Sequence, residues 1–372
     1  MTTVLGLPAF AALVAELSAQ GYQVIGPTVR DGAIVHAEIS SIEDLPRGVT
    51  DLQQPGSYRL TETGTGELFG FASTATSWKA FLLPARRVLW TSSSADEAPE
   101  PAPLDEVRRA LLGVRSCDLH AIAIQDTIHL GRVPDPDYES RRSRLFIVAV
   151  SCGHPGDTCF CVSMGTGPRP DAGYDIALTE LTDGGEHRFL AEAGTPAGQA
   201  LLAALDQRPS TAADTRAAEQ VTETASASMG RTVDTTDLRD LLYANAEHPR
   251  WEQVASRCLS CTNCTLVCPT CFCVSSTDAV DLSGAVSRSL EWDSCFLPEH
   301  SHLPDGPVRK QTPARYRQWL THKFASWIDQ FGSSGCVGCG RCVTWCPAAI
   351  DVTEELAAIR ATSLPVVAQV DP

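Results

Sequence analysis

The sequence predicts two units of different class: an α+β unit over residues 1–205 and a mostly helical unit over residues 237–372, with residues 206–236 as a linker. Three observations carry this expectation. The first 205 residues mix alternating and helical apolar patterns. Residues 206–236 are rich in Ala, Thr, Ser and Asp, with few large apolar side chains, a composition that suits a linker or an exposed helix. Beyond them the pattern turns helical, and one spacing of cysteines occurs twice.

In chain order, Phe10, Leu13, Val14 and Leu17 recur at spacings of three and four and read as an amphipathic helix. Tyr22–Thr28 and Ala33–Ile39 are β-branched runs around Arg30-Asp31-Gly32, a hairpin signal. Ser77–Trp90 holds a further apolar stretch. Leu111–Arg115 and Leu145–Val150 are strand candidates, the second fully apolar and so suited to burial. Between them, Ser116 or Asp118 is placed to cap a helix carrying Leu119, Ile122, Ile124 and Ile128. In the second unit, Leu241, Leu242, Trp251 and Val254 read as helix, as do Tyr316, Trp319, Leu320, Phe324, Trp327 and Ile328. A closing helix capped by Thr353 runs through Leu356, Ile359 and Leu364.

Composition narrows the function. The formal charge is −16, the pI about 4.9, and no sustained Lys/Arg stripe appears, so a nucleic-acid partner is not expected. Arg141, Arg142 and Arg144 form a small basic cluster, suited to an acidic partner or to a solvated loop. No run approaches the roughly 18 to 20 apolar residues of a membrane span. The first residues lack a positive n-region and Glu16 breaks their apolar run, so no export signal is read and a cytoplasmic protein is expected. Gly64-Thr-Gly66 and Gly165-Thr-Gly167 lack the third glycine of a dinucleotide fingerprint. In a reducing compartment, fifteen cysteines bunched at short spacings point to metal rather than disulfides.

The spacing itself is specific. Cys258-x2-Cys261-x2-Cys264-x3-Cys268-Pro269 is repeated as Cys336-x2-Cys339-x2-Cys342-x3-Cys346-Pro347. Three thiolates two residues apart let one tight loop cover a corner of a [4Fe–4S] cubane. The fourth, ahead of proline, ligates the other cluster. One cluster is therefore expected on Cys258, Cys261, Cys264 and Cys346, and a second on Cys336, Cys339, Cys342 and Cys268. Zinc has no use for three close thiols plus Cys-Pro, twice. Gly335, Gly338 and Gly340 are expected to let backbone N–H groups reach the cluster sulfides. The 67 residues between the motifs read as mostly helical, so the unit resembles an α-helical ferredoxin with two [4Fe–4S] clusters.

Seven cysteines lie outside the motifs. Cys117 and Cys152 end the two strand candidates, and Cys159 and Cys161 follow in a Gly/Pro turn. If those strands are neighbours, their ends bring four sulfurs together for a third cluster; packing alone is the alternative. Cys271, Cys273 and Cys295 are open to three roles: extra ligands, redox-active thiols, or packing beside a cluster. His300 and His302 read as solvated loop.

Longer strings are recognisable. They are Gly113-Val-Arg-Ser-Cys-Asp-Leu-His-Ala-Ile122, Cys159-Phe-Cys-Val-Ser-Met-Gly-Thr-Gly-Pro168, Gly173-Tyr-Asp-Ile-Ala-Leu-Thr-Glu180, Arg257 through Cys273, Trp292-Asp-Ser-Cys295, His322-Lys-Phe324 and Cys336-Val-Gly-Cys-Gly-Arg-Cys342. Over roughly residues 105 to 360 the chain resembles the iron–sulfur β subunit of cytosolic NAD(P)-linked NiFe hydrogenases of the sulfhydrogenase type. It is also similar to the iron–sulfur electron-transfer subunit of anaerobic sulfite reductases. The resemblance implies an electron-transfer subunit, not catalytic alone, in a hetero-oligomer with the hydrogenase small and large subunits and an FAD- and NAD(P)-binding subunit. It would pass single electrons between the flavin side and the small subunit while binding neither nickel nor flavin itself. The alternative is the same relay in a sulfite or sulfur reductase.

Overall fold

The computed structural model describes residues 2–94 and 97–363. Its N-terminal part is built on an eight-stranded mixed sheet. In spatial order the strands are Arg208–Pro209, Thr2–Gly6, Arg188–Ala193, Ile176–Leu181, Leu145–Val150, Arg109–Val114, Gln23–Arg30 and Ala33–Glu38. The four strands from Ile176–Leu181 to Gln23–Arg30 run parallel, and the outer pairs are antiparallel. Parallel strands are covered on both faces. Here one face packs the Leu7–Ala19 helix through Phe10, Leu13, Val14 and Leu17, and the other packs Leu119, Ile122 and Tyr138.

The hairpin around Asp31-Gly32 forms as expected. Arg109–Val114 and Leu145–Val150 are adjacent and parallel, which places the chain segments that follow them side by side. The helix after the first of these spans Ser116–His129, with Arg115 at the N-cap position and no side-chain cap from Ser116 or Asp118. Asp118 is instead committed to an ion pair described below. Within residues 206–236, a helix spans Ala212–Ala227, closed by a reciprocal Thr211–Asp214 capping box. It packs on the Ile176–Leu181 strand, burying Asp214, Ala218 and Ala225.

The C-terminal part is not all helical. Val274–Val280 and Val286–Trp292 form a hairpin inside the stretch between the two cysteine runs, where the apolar pattern suggested helix. The hairpin extends a second sheet by pairing with Arg86–Ser92 from the N-terminal part. The helical reading holds only for the later portion, Thr312–Thr321 and Trp327–Phe331, joined by a π-helical turn at His322–Ser326. The last helix, Val352–Thr362, is capped by Asp351, whose carboxylate accepts from Thr353 N at 2.9 Å and Thr353 Oγ1 at 2.7 Å. Thr353 is thus a donor to the cap. Leu364 lies outside the described residues. Arg141, Arg142 and Arg144 pair with Asp105, Asp126 and Glu106 of the same chain. Among the described residues no helix is long and apolar enough to cross a membrane.

Candidate metal centre

The two cysteine loops share one backbone geometry. Ser260 and Thr262 in the first have φ of 50° and 69°; Gly338 and Gly340, at the same offsets in the second, have φ of 65° and 75°. Both loops then enter a one-turn helix, Asn263–Leu266 and Arg341–Thr344. Ser260 N lies 3.4 Å from Cys258 Sγ, and Gly338 N lies 3.4 Å from Cys336 Sγ. A folded-back amide therefore addresses the first sulfur in each copy.

Glycine is needed in only one loop because only that loop is covered. A Cβ on Gly338 would stand 2.7 Å from Cys161 Cα and N, and one on Gly340 would stand 2.6 Å from Thr158 O. A Cβ on Gly335 would meet the Trp327 ring at 2.8 Å. These glycines admit neighbouring protein, a different reason from the open access to sulfides that the sequence suggested.

The thiols line two cavities. Cys258, Cys261, Cys264 and Cys346 ring one, walled by Phe296, Tyr316 and Trp319. Cys268, Cys336, Cys339 and Cys342 ring the other, with Phe160, Phe324 and Trp319. Each ring takes three cysteines from one motif and the last cysteine of the other. Cys342 lines both cavities, so they are contiguous. Burial pushes the Cys264 and Cys342 thiols well up. Such thiols ionise when a metal takes the place of the proton. Among the described residues no three His, Cys, Asp or Glu side chains converge closely enough to hold a single ion.

A cation is built into the second ring. The π-helical turn carries Lys323 inward, where Nζ donates to Cys268 Sγ at 3.2 Å and Thr270 Oγ1 at 3.0 Å. Burial acts to discharge Lys323, but the Cys268, Cys271 and Cys336 thiols hold its pKa well above the usual lysine value. Lys79, also buried, donates to Cys271 O at 3.2 Å. Two of the chain's three lysines are therefore buried beside Cys268–Cys271.

The N-terminal part grips the second loop. Phe160 N donates to Gly338 O at 2.8 Å, Thr166 Oγ1 to Val337 O at 2.6 Å, and Ser73 Oγ to Cys339 O at 2.8 Å. Arg341 forms two hydrogen bonds to Asp118 with both side chains fully buried. This contact brings four more thiols close. Cys117 opens the Ser116–His129 helix, Cys152 follows the Leu145–Val150 strand, and Cys159 and Cys161 follow in the next turn. Cys117 and Cys161 pack with Cys339 in one buried group, and Cys159 Sγ lies 3.7 Å from Cys339 O. Burial pushes Cys117 well up and Cys161 up to about 12, with neighbouring thiols adding to both shifts.

The remaining three cysteines lie beside these rings. Cys271 touches Cys268, while Cys273 touches Cys295 and His300. His300 is not a solvated loop residue: its Nδ1 lies 2.8 Å from Asp293 Oδ2. The seven-residue gap between Asp293 and His300 matches no familiar motif, so the sequence offered no signal for this pair.

Residues 257–350, which span both cysteine loops, match the family model described as a 4Fe-4S dicluster domain. The chain is 35% identical over 255 residues to Sulfhydrogenase 2 subunit beta of Pyrococcus furiosus, covering 67% of this chain and 73% of that protein. The chain belongs to the sulfhydrogenase β-subunit family. It is an iron–sulfur electron-transfer protein of that family, with its clusters in the ferredoxin-like part. No solved structure matches this sulfhydrogenase β-type chain.

Proposed function

We propose that this chain relays single electrons between the small subunit of a NiFe hydrogenase and a partner that binds NAD(P) and flavin. It would do so through [4Fe–4S] clusters on Cys258/Cys261/Cys264/Cys346 and Cys336/Cys339/Cys342/Cys268. Cys117, Cys152, Cys159 and Cys161 hold a third. The observation that carries this reading is the pair of contiguous cavities, each ringed by three thiols of one loop and the last thiol of the other.

When bound, each cluster supplies one-electron redox chemistry over a range of roughly −700 to +450 mV set by its surroundings. The chain's own groups do the rest. Aromatic walls exclude water, the Ser260 and Gly338 amides address ligand sulfurs, and Lys323 places a positive charge on Cys268. The relay has an order: Cys342 links the first two rings, and Cys339 packs on the third group. The first ring reaches the surface, where Cys261 is exposed and Leu259 is 68% exposed. A redox partner exchanging electrons at that ring would dock there. The sulfhydrogenase relative favours a hydrogenase over a sulfite reductase as the host complex.

Cys261→Ser in the assembled complex tests the relay. NAD(P)-linked hydrogen turnover should vanish, while hydrogen uptake with dyes at the partner subunits persists. Unchanged pyridine-nucleotide activity would overturn the reading.

A further inference from the structure

Tyr316 and Trp319 stand one turn apart on the Thr312–Thr321 helix, whose buried face is Arg315, Tyr316, Trp319 and Leu320. At a spacing of three they share that face, and both rings wall the cavity of the first thiol ring. Neighbouring rings fix Tyr316 in place: Phe296 edge-on at 6.1 Å, Trp319 at 5.5 Å and Trp251 at 6.4 Å.

Tyr316 is 2% exposed, and its hydroxyl has no hydrogen-bond partner among the described residues. A buried hydroxyl is nearly always paired, because taking it out of water without an acceptor is costly. An apolar wall alone would be served as well by phenylalanine. Burial first, then Glu355 and the Cys264, Cys342 and Cys258 thiols, push the phenol well above its ordinary pKa, so the proton stays on oxygen. Glu355 is not the acceptor: its carboxylate is taken by Arg250 Nε at 2.5 Å and Arg257 Nη2 at 2.6 Å. What remains around the hydroxyl is the sulfur ring. Trp319 Nε1 is unpartnered too, but Trp319 lines both cavities. Of the two cavities Tyr316 lines only the first, so its target is defined.

We propose that the Tyr316 hydroxyl donates a hydrogen bond to a sulfur of the cluster on Cys258, Cys261, Cys264 and Cys346, and so raises that cluster's potential. The proposal rests on the cluster assignment made above. No iron is ligated and no proton is transferred. The sulfurs gain negative charge when an electron arrives, so a fixed donor stabilises the reduced form more than the oxidised one. At the second ring a cation does this work, Lys323 on Cys268; at the first it is a neutral hydroxyl. The two potentials are thereby set by separate groups.

Tyr316→Phe keeps the ring and removes only the oxygen. In anaerobically purified full-length chain, an EPR-monitored titration should show one midpoint lowered. The equilibrium should move about tenfold toward the oxidised cluster, which is about 59 mV for one electron. Cys264→Ala labels that midpoint: iron should fall by about four per chain, and the signal that disappears should be the one Tyr316→Phe shifts. Pulsed EPR of the reduced chain in D2O should find one strongly coupled deuteron fewer at this cluster in Tyr316→Phe. An unchanged midpoint and deuteron coupling at full iron content, or a shift confined to another cluster, would overturn the proposal alone. No loss of iron in Cys264→Ala would overturn the cluster assignment, and the proposal with it.

Discussion

Arg341 and Asp118 lie 223 residues apart in sequence and face each other at 2.9 and 3.1 Å, with 1% and 2% of their side chains exposed. One belongs to the second cysteine loop and the other to the helix that begins at Cys117. Arg341 Nε is satisfied as well, donating to Thr74 O at 2.9 Å. The pair ties the ferredoxin-like loop to the sheet domain at the place where the thiol groups meet.

Breaking one side of this pair leaves a buried charge with no partner. Asp118→Ala or Arg341→Ala should each cost about 3–5 kcal/mol in urea unfolding. Asp118→Ala/Arg341→Met should recover part of that loss, because removing both charges also removes their desolvation cost. Equal destabilisation by the double and single variants would show that packing, and not charge, dominates at this contact.

The duplicated loops respond differently to the same kind of change. Gly338→Ala combines a positive φ with a 2.7 Å clash against the Cys161 backbone, so it should destabilise by more than the roughly 1–2 kcal/mol of the dihedral alone. Ser260→Gly relieves the equivalent dihedral without a covering neighbour. The gain is offset by roughly 0.5–1 kcal/mol of chain entropy, leaving stability nearly unchanged. Iron content and urea midpoints of the two variants, measured side by side, check the contrast.

Lys323 should raise the potential of the second cluster. A charge-assisted hydrogen bond to sulfur is worth about 1.5–3 kcal/mol, and about 1.4 kcal/mol corresponds to 59 mV for one electron. Lys323→Met should therefore lower one midpoint by on the order of 60–130 mV in an EPR-monitored redox titration. The other midpoints should move much less. An unchanged set of midpoints would remove Lys323 from any tuning role.

Asp214 anchors the Ala212–Ala227 helix. Arg208 is the main cause holding its carboxyl far below the ordinary value of 3.8, helped by Thr211 and Arg188. A depressed carboxylate contributes stability that is fully present above its unfolded pKa and lost as pH falls toward the folded value. The stability difference between the natural chain and Asp214→Asn should stay constant from about pH 8 to about pH 5 and shrink only below about pH 4. Urea midpoints across that range read it directly.

The eight motif cysteines were legible because their spacing is local, and cubane geometry leaves few other uses for it. The central strands were legible too, since Leu145–Val150 is apolar along its whole length. The Val274–Trp292 hairpin was not. Its first strand is largely exposed, so Ser, Thr and Asp fill positions where apolar alternation would have marked a strand. Its pairing partner, Arg86–Ser92, lies in the other half of the chain. Lys323 looked like one polar position in a helical pattern until the π-helical turn aimed it at Cys268. Contacts such as Arg341 with Asp118, or Cys339 with Cys161, depend on how two distant loops dock. Neither leaves a local pattern in the sequence.

Iron and acid-labile sulfide counted on anaerobically purified chain test the central claim most directly. The account predicts about twelve irons and as many sulfides per chain, falling by about four in Cys117→Ser as the third cluster is lost. Zinc in place of iron, with no inorganic sulfide, would contradict it.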